Sequence, residues 1–250
     1  MSEAVREGQP VWVDLGLDDP EAGRDFYSKL LGWEFEISGP DMGYYSRAVV
    51  PDESGRRDDV AGIYTRPDGA AVQWVVYFNT ADIDAAVARG QAAGGTSLAE
   101  FEVEMVGRVA IMLDPVGAVF GLMQLAGMTP INLQQRYGAV WFEQWSQDAP
   151  TARSFYATLF GYEVEPVMLP DLDYALFKAG DLQVGAAGTI PGEAPRWVVY
   201  FSTHDVDAAC AYNVGAGGSI ARPAEDTPYG RMAACVDPFG AEFKLLTPPM

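Results

Sequence analysis

Val11-Trp12-Val13-Asp14 returns, 129 positions later, as Val140-Trp141-Phe142-Glu143. The same offset carries Arg24-Asp25-Phe26-Tyr27 onto Arg153-Ser154-Phe155-Tyr156, and Gly32 onto Gly161. Farther on, Trp74-Val75-Val76-Tyr77-Phe78 returns as Trp197-Val198-Val199-Tyr200-Phe201 at an offset of 123, which holds through Asp114-Pro115-Val116-Gly117 and Asp237-Pro238-Phe239-Gly240. Ordered self-similarity at a fixed spacing marks a duplicated unit. Six extra residues must then lie between these blocks in the first copy, and the charged, glycine-containing stretch 51–59 is where a longer loop is expected. The chain of 250 residues divides into homologous domains 1–128 and 129–250, each of ordinary domain size. The join falls near Gly127–Gly138, where Pro130, Asn132 and two glutamines interrupt the apolar pattern.

Each copy alternates strands with two helices. Residues 11–17 are β-branched and aromatic and predict a strand. Asp19 caps a following helix, with Pro20 at its first position, Phe26 and Leu30 on its buried face and Gly32 at its end. Strands are expected near 33–38, 44–50 and 60–65. The scheme then restarts with a strand at 73–80, a helix from Asp82 to Gly94-Gly95, and strands near 101–104, 108–113 and 118–125. Each copy reads βαβββ twice, an α+β pattern with helices covering one face of antiparallel-rich sheets.

Composition narrows the function. With 16 basic and 35 acidic residues the net charge is −19, which repels phosphate backbones and anionic bilayers, so neither nucleic acid nor membrane is an expected partner. No apolar run approaches the ~20 residues of a membrane span, and the amino terminus has no secretory h-region. Two cysteines without a CxxC pair fit a reduced, cytoplasmic setting. A single histidine, His204, rules out a site built from two or three imidazoles of one chain. A phosphate loop, a dinucleotide fingerprint and a GxSxG elbow are all absent.

Asp19…Phe26-Tyr27…Leu31-Gly32-Trp33, Asp82-Ile83-Asp84-Ala85-Ala86, Gly107-Arg108 and Asp114-Pro115-Val116-Gly117, each recurring in the second half, resemble the vicinal oxygen chelate superfamily. This is the glyoxalase, bleomycin-resistance and extradiol-dioxygenase group, and the likeness is greatest to its tandem two-domain members, often labelled glyoxalase-like or hydroxylase. The resemblance implies two tandem domains, each of two βαβββ units forming a curved-sheet cup. In the group's enzymes the cup holds a divalent metal through the first strand, the strand opening the second unit and the last strand. Carried onto this chain, those positions are Trp12, Val75 and Gly121 in the first copy, and Trp141, Val198 and Lys244 in the second. None can ligate a divalent metal in that manner, so no metal and no cofactor is expected.

Side chains two apart on a strand share a face. The first cup is expected to hold Trp12, Asp14, Tyr77 and Met123, and the second Trp141, Glu143, Tyr200, Glu242 and Lys244. Tryptophan and tyrosine suit a planar ligand, and a carboxylate suits a hydroxyl, amine or guanidinium-like group. Trp12 and Trp141 read equally as fillers of the space vacated by metal ligands. Tyr229, in the Tyr229-Gly230-Arg231 loop, is a candidate gate or a plain turn residue. Trp74 and Trp197 belong to the core, and His204 to a loop.

Two functions follow. The first is a metal-free small-molecule-binding protein of the bleomycin-resistance type, with Trp12, Asp14, Tyr77, Trp141, Glu242 and Tyr229 facing a planar or cationic ligand. The second is a metal-independent isomerase, cyclase or hydrolase acting on a small carbonyl or polyketide-like substrate. There Glu143 serves as general base, with Tyr200 or Lys244 as acid. A conventional metal enzyme and a scaffold with filled cups complete the alternatives. Assembly as a homodimer is left open.

Overall fold

The computed structural model describes residues 5–51 and 55–248. The first repeat runs β1 (Pro10–Leu17), α1 (Pro20–Leu31), β2 (Glu34–Ile37), β3 (Ser46–Pro51), β4 (Arg57–Thr65), β5 (Trp74–Asn79), α2 (Ile83–Ala92), β6 (Thr96–Val103), β7 (Gly107–Leu113) and β8 (Val119–Leu125). The second runs β9 (Ala139–Ser146), α3 (Ala149–Phe160), β10 (Glu163–Leu169), β11 (Leu172–Ala179), β12 (Leu182–Thr189), β13 (Arg196–Ser202), α4 (Val206–Gly215), β14 (Ser219–Thr227), β15 (Gly230–Val236) and β16 (Glu242–Thr247). The repeats form two eight-stranded sheets of matching order, β2-β3-β4-β1-β5-β8-β7-β6 and β10-β11-β12-β9-β13-β16-β15-β14. This is the α+β architecture expected from the sequence.

The helix signals act as the residue types require. Asp19, Asp82, Asp148 and Asp205 each cap a helix by accepting the backbone N–H three residues on. Gly32 and Gly161 end α1 and α3 in the left-handed region, at φ +72 and +73. β6 begins earlier than the expected 101–104, because its register is set by pairing with β7 from Thr96↔Leu113 onward rather than by its own weakly patterned residues. No helix among the described residues is long and apolar enough to cross a membrane.

The inserted residues extend a hairpin rather than forming a separate loop. Asp14 pairs with Gly62, 48 positions on, whereas its counterpart Glu143 pairs with Ala186, 43 positions on. Five of the six therefore lengthen the β3–β4 hairpin, whose strands reach Pro51 and resume at Arg57. The sixth lies in the connection from β4 to β5. Residues 52–54 of the expected loop lie outside the described residues.

Compactness does not follow chain order. One unit, here named for helices α2 and α3, comprises residues up to 12, 75–130 and 142–198; the other, named for α1 and α4, comprises 13–74, 131–141 and 199 onward. Each thus combines half of each repeat. In the α2–α3 unit, Phe78, Phe120, Tyr156, Phe177 and Trp197 form an aromatic core of edge-on and tilted ring pairs, with Phe78 and Trp197 centred 5.0 Å apart. In the α1–α4 unit the corresponding core is Tyr27, Trp33, Trp74, Phe201 and Phe243. Trp74 and Trp197 are buried, as expected of core residues.

One polar network recurs in both cores. In the α2–α3 unit, Asp114 Oδ1 accepts the N–H groups of Val116, Gly117 and Ala118, closing the Asp-Pro-Val-Gly turn. Its Oδ2 accepts from the Tyr156 hydroxyl, and that phenol oxygen accepts from Trp197 Nε1 at 2.8 Å. In the α1–α4 unit, Asp237 Oδ1 accepts from Phe239 and Ala241, its Oδ2 from Tyr27 at 2.8 Å, and the Tyr27 oxygen from Trp74 Nε1 at 3.2 Å. Burial alone would make such carboxylates costly, and these bonds offset that cost.

Candidate functional site

In the first strand of the first repeat, Val13, Leu15 and Leu17 are almost wholly buried, and a Cβ on Gly23 of α1 would meet Leu17, so this face lies under the helix. Asp14 and Gly16 alternate onto the opposite face. Glu143 and Trp145 hold the equivalent places in β9. Asp14 is 6% exposed and Glu143 5%, so both acids are removed from bulk water.

In the α1–α4 unit the Tyr45 hydroxyl lies 3.3 Å from Asp14 Oδ2. The hydroxyl occupies the space a side chain on Gly62 would need: a Cβ there would sit 1.9 Å from it. In the α2–α3 unit the Tyr174 hydroxyl donates to Glu143 Oε1 at 2.7 Å, and Trp145 Nε1 donates to Oε2 at 3.0 Å. Tyr45 and Tyr174 are related by the same 129-residue offset as the two acids. The carboxylate–phenol pair is thus present in both repeats.

A second aromatic accompanies each pair, but from a different strand. In the first repeat Gly16 pairs in register with Tyr64 of β4, and the Tyr64 ring stacks on Tyr45, centroids 6.2 Å apart and planes 17° apart. In the second repeat Trp145 of β9 pairs with Gly188 of β12, and the indole lies 5.7 Å from the Tyr174 ring, tilted by 36°. Glycine and aromatic have exchanged strands. The exchange is sterically coupled, because a Cβ on Gly188 would come within 2.1 Å of Trp145, and one on Gly16 within 3.0 Å of Tyr64. Burial, reinforced by the Asp14 charge, pushes the Tyr64 phenol well above the usual tyrosine range, so it stays protonated as a hydrogen-bond donor.

The strand that opens each repeat's second half differs more. Tyr77 pairs with Gly121, and its ring covers that glycine, where a Cβ would fall 2.1 Å from the ring edge. Tyr200 pairs instead with Lys244. The Lys244 ammonium donates to the Tyr200 hydroxyl at 2.6 Å and lies 4.6 Å from the ring centroid.

The residues expected in the cups divide between the two units. Trp12, Tyr77 and Met123 are buried and belong to the α2–α3 unit, as does Glu143 with Trp145 and Tyr174. Asp14, with Tyr45 and Tyr64, belongs to the α1–α4 unit. So do Trp141 and Glu242, both partly exposed, and the Tyr200–Lys244 pair. Tyr229 is 71% exposed in the turn between β14 and β15, its N–H bonded to Thr227 Oγ1. His204 sits in an exposed loop, bonded to the Arg136 guanidinium and edge-on to Tyr137. Cys235 is buried and Cys210 partly so, their sulfurs 3.9 Å apart. Tyr45, Tyr64 and Tyr174 come from strands that alternation along β1 and β9 does not reach, and Trp145, one alternation step beyond Glu143 in β9, is not among the residues expected in the cup.

The donor set does not fit a divalent metal of the kind the resemblance implies. At the last-strand position Gly121 lies beneath an aromatic ring and Lys244 supplies a cation bound to a phenol. Among the described residues no three of His, Cys, Asp or Glu come together in a ligating group. A cleft of about 380 Å³ near Glu7, Asp82, Arg89 and Gly161, and one of about 190 Å³ beside Phe101 and Arg108, contain none of the predicted site residues.

Two family models match the chain: a Glyoxalase-like domain over residues 11–123, and the Glyoxalase/Bleomycin resistance protein/Dioxygenase superfamily over residues 138–245. The "Anthracycline biosynthesis protein DauV" of Streptomyces sp. (strain C5) is 33% identical over 96% of this chain and 93% of its own. The "Putative glyoxylase CFP32" of Mycobacterium bovis is 34% identical over 97% and 96%. Among solved structures, the 2,3-dioxygenase LapB from Pseudomonas sp. KL28 superposes with a TM-score of 0.67 at 15% identity, covering 99% of this chain and 94% of that one. That likeness concerns the fold.

Proposed function

Because the chain belongs to the Glyoxalase/Bleomycin resistance protein/Dioxygenase superfamily yet carries tryptophan, valine, glycine and lysine where that group places metal ligands, we propose that it binds a small, planar, hydroxyl- or amine-bearing molecule without a metal. The observation that carries this reading is the acid–tyrosine–aromatic cluster built once in each repeat, at Asp14/Tyr45/Tyr64 and at Glu143/Tyr174/Trp145. Flat rings provide stacking surface, and a buried carboxylate already oriented by a phenol accepts from a ligand hydroxyl or ammonium at little cost in reorganisation. The name of the relative DauV points the same way, since anthracyclines are planar fused-ring compounds. In the α2–α3 unit Trp12 and Tyr77 add aromatic surface, and in the α1–α4 unit Trp141 adds it and Glu242 adds a second acid. Tyr229 borders the entrance in this reading.

Titration with a dihydroxynaphthalene, read by tryptophan fluorescence in the presence of a chelator, tests it. Saturable quenching is expected, weaker by roughly tenfold in Glu143→Gln, the loss of one hydrogen bond to a charged acceptor. Absence of saturable quenching, or quenching that chelation removes and Mn(II) restores, overturns it.

A second reading is favoured by one contact, the 2.6 Å bond from Lys244 to the Tyr200 hydroxyl. An ammonium on a phenol oxygen stabilises the phenolate and suits proton transfer. In that reading the protein is a metal-independent isomerase, cyclase or hydrolase in which the Tyr200–Lys244 pair supplies the acid.

A further inference from the structure

The two cysteines of the chain stand 25 residues apart on different elements, and their sulfurs meet at 3.9 Å. Cys210 lies on α4 and Cys235 on β15, both in the α1–α4 unit. The contact is held from both sides. One turn before Cys210, the Asp207 carboxylate accepts two hydrogen bonds from Arg231, which shares a strand with Cys235. One turn after Cys210, the buried Asn213 carboxamide donates at 3.1 Å to the carbonyl of Val236, the residue after Cys235. Packing alone does not ask for sulfur at this contact. At the offset of 123, Val87 and Met112 stand in the same places in the first repeat, both buried, beside an equivalent Arg108–Asp84 fork. The second repeat keeps the fork and replaces both apolar side chains by thiols.

We propose that Cys210 and Cys235 are a covalent modification site, forming a reversible disulfide that fastens α4 to β15, with a small-molecule disulfide as the oxidant. Cys210 is partly exposed and Cys235 fully buried, which sets the order of events. The Cys210 thiolate attacks the reagent RSSR. A Cys210–SR bond forms, the reagent's S–S bond breaks, and RS⁻ leaves and takes up the proton Cys210 gave. Cys235, too deep for the reagent, then attacks Cys210 Sγ. The protein S–S bond forms, the Cys210–SR bond breaks, and the second RS⁻ takes the Cys235 proton. Two protein thiols are oxidised to one disulfide, and one RSSR is reduced to two RSH. Closure brings the sulfurs to about 2 Å, by turning of two short side chains and a slight settling of α4. Burial pushes both thiols up, so thiolate is scarce and the first step is slow. Cys235 offsets this in the second step, because it is held against its target. Phe243 is the buried register partner of Cys235, so the bridge lies on the helix-covered face, opposite Glu242 and Lys244. It is independent of the ligand reading.

2-Hydroxyethyl disulfide is a suitable reagent, being small, specific for thiols and uncharged, so the net charge of −19 does not repel it. The full-length protein is treated with it, then examined by mass spectrometry and by thiol titration in denaturant. The wild type should lose both thiols and the mass of two hydrogens, carry no adduct, and regain its starting mass with dithiothreitol. Its urea midpoint should be higher in the bridged form than in the reduced form. Cys235→Ala cannot close the bridge and should stop at the mixed disulfide, with one hydroxyethylthio group on Cys210. Cys210→Val, which places there the residue type of the first repeat, should leave Cys235 unmodified. A wild type that keeps both thiols, retains an adduct or links into dimers overturns the proposal, as does a midpoint that fails to rise on bridging. Circular dichroism establishes that each variant is folded, and the wild type alone supplies the deciding masses.

Discussion

The Tyr156 hydroxyl donates to the Asp114 carboxylate at 3.0 Å, across 42 residues of chain and from one repeat to the other. Tyr27 and Asp237 make the same bond in the other unit, across 210 residues. A helix tyrosine and a turn aspartate, two motifs that look local in the sequence, are therefore the two ends of one tie, and each compact unit is fastened by joining the repeats.

Removing the hydroxyl tests the tie. Tyr156→Phe leaves Asp114 Oδ2 without its phenol donor and Trp197 Nε1 without its acceptor, both in a buried setting. The expected loss is about 2–3 kcal/mol, the range for a hydrogen bond to a charged group. Tyr27→Phe should cost a similar amount. Urea unfolding of both variants checks this, and losses within error of zero would show that the carboxylates are satisfied by their turns alone.

The same carboxyls predict a pH effect. Burial raises Asp114 and Asp237 above the ordinary value of 3.8, against the lowering influence of their hydrogen bonds. The native chain then holds these protons more tightly than the unfolded chain does. Their contribution to stability is complete below the ordinary carboxylate value and is lost as pH rises through the raised native one. The stability of the wild type relative to Asp114→Asn should accordingly fall with rising pH over that window. Denaturant midpoints of both proteins across the acid range measure it, and a difference that grows with pH would reverse the assignment.

The exchanged glycine and aromatic give a third prediction. Trp145→Gly removes a buried ring and a donor to Glu143, and Gly188→Tyr drives a side chain into Trp145. Each should destabilise by roughly 2–4 kcal/mol. The double variant recreates the glycine-opposite-tyrosine arrangement of Gly16 and Tyr64, and should recover at least about 1 kcal/mol relative to the sum of the single effects. A double-mutant cycle by urea unfolding reads this directly. Additive losses would mean that the two positions are independent.

Much of the fold was legible because its signals are short-range. Asp19 with Pro20 and the closing Gly32 mark α1 by capping chemistry that needs no tertiary partner, and the equally spaced repeat marks the second copy. The site was legible only in part. Asp14 and Glu143 follow from strand alternation, but their tyrosine partners arrive from strands whose register depends on hairpin pairing and, in the first repeat, on a shift at Ala48/Val49. One signal was available: Tyr45 and Tyr174 recur at the offset of the acids they bind. The Gly16/Tyr64 and Trp145/Gly188 exchange was hidden because each repeat shows an aromatic where the other shows glycine. The composite units were hidden too, since the duplication states which residues correspond and not which residues pack.

The composite units also constrain how the protein is made. The segment 13–74 shares its core with residues from 199 onward, and the acceptor for Tyr27 is synthesised 210 residues after it. When the first repeat has left the ribosome, α1 can rest on Leu17 and Ile63 of its own repeat, but Tyr27 still lacks Asp237 and Phe243, which arrive only with the last strands. Neither unit can close during most of translation. Completion of both cores must therefore come late and through contacts distant along the chain, which slows it. A ribosome that stops between the repeats would release a chain with two half-built cores open to water, a natural client for chaperones and proteases.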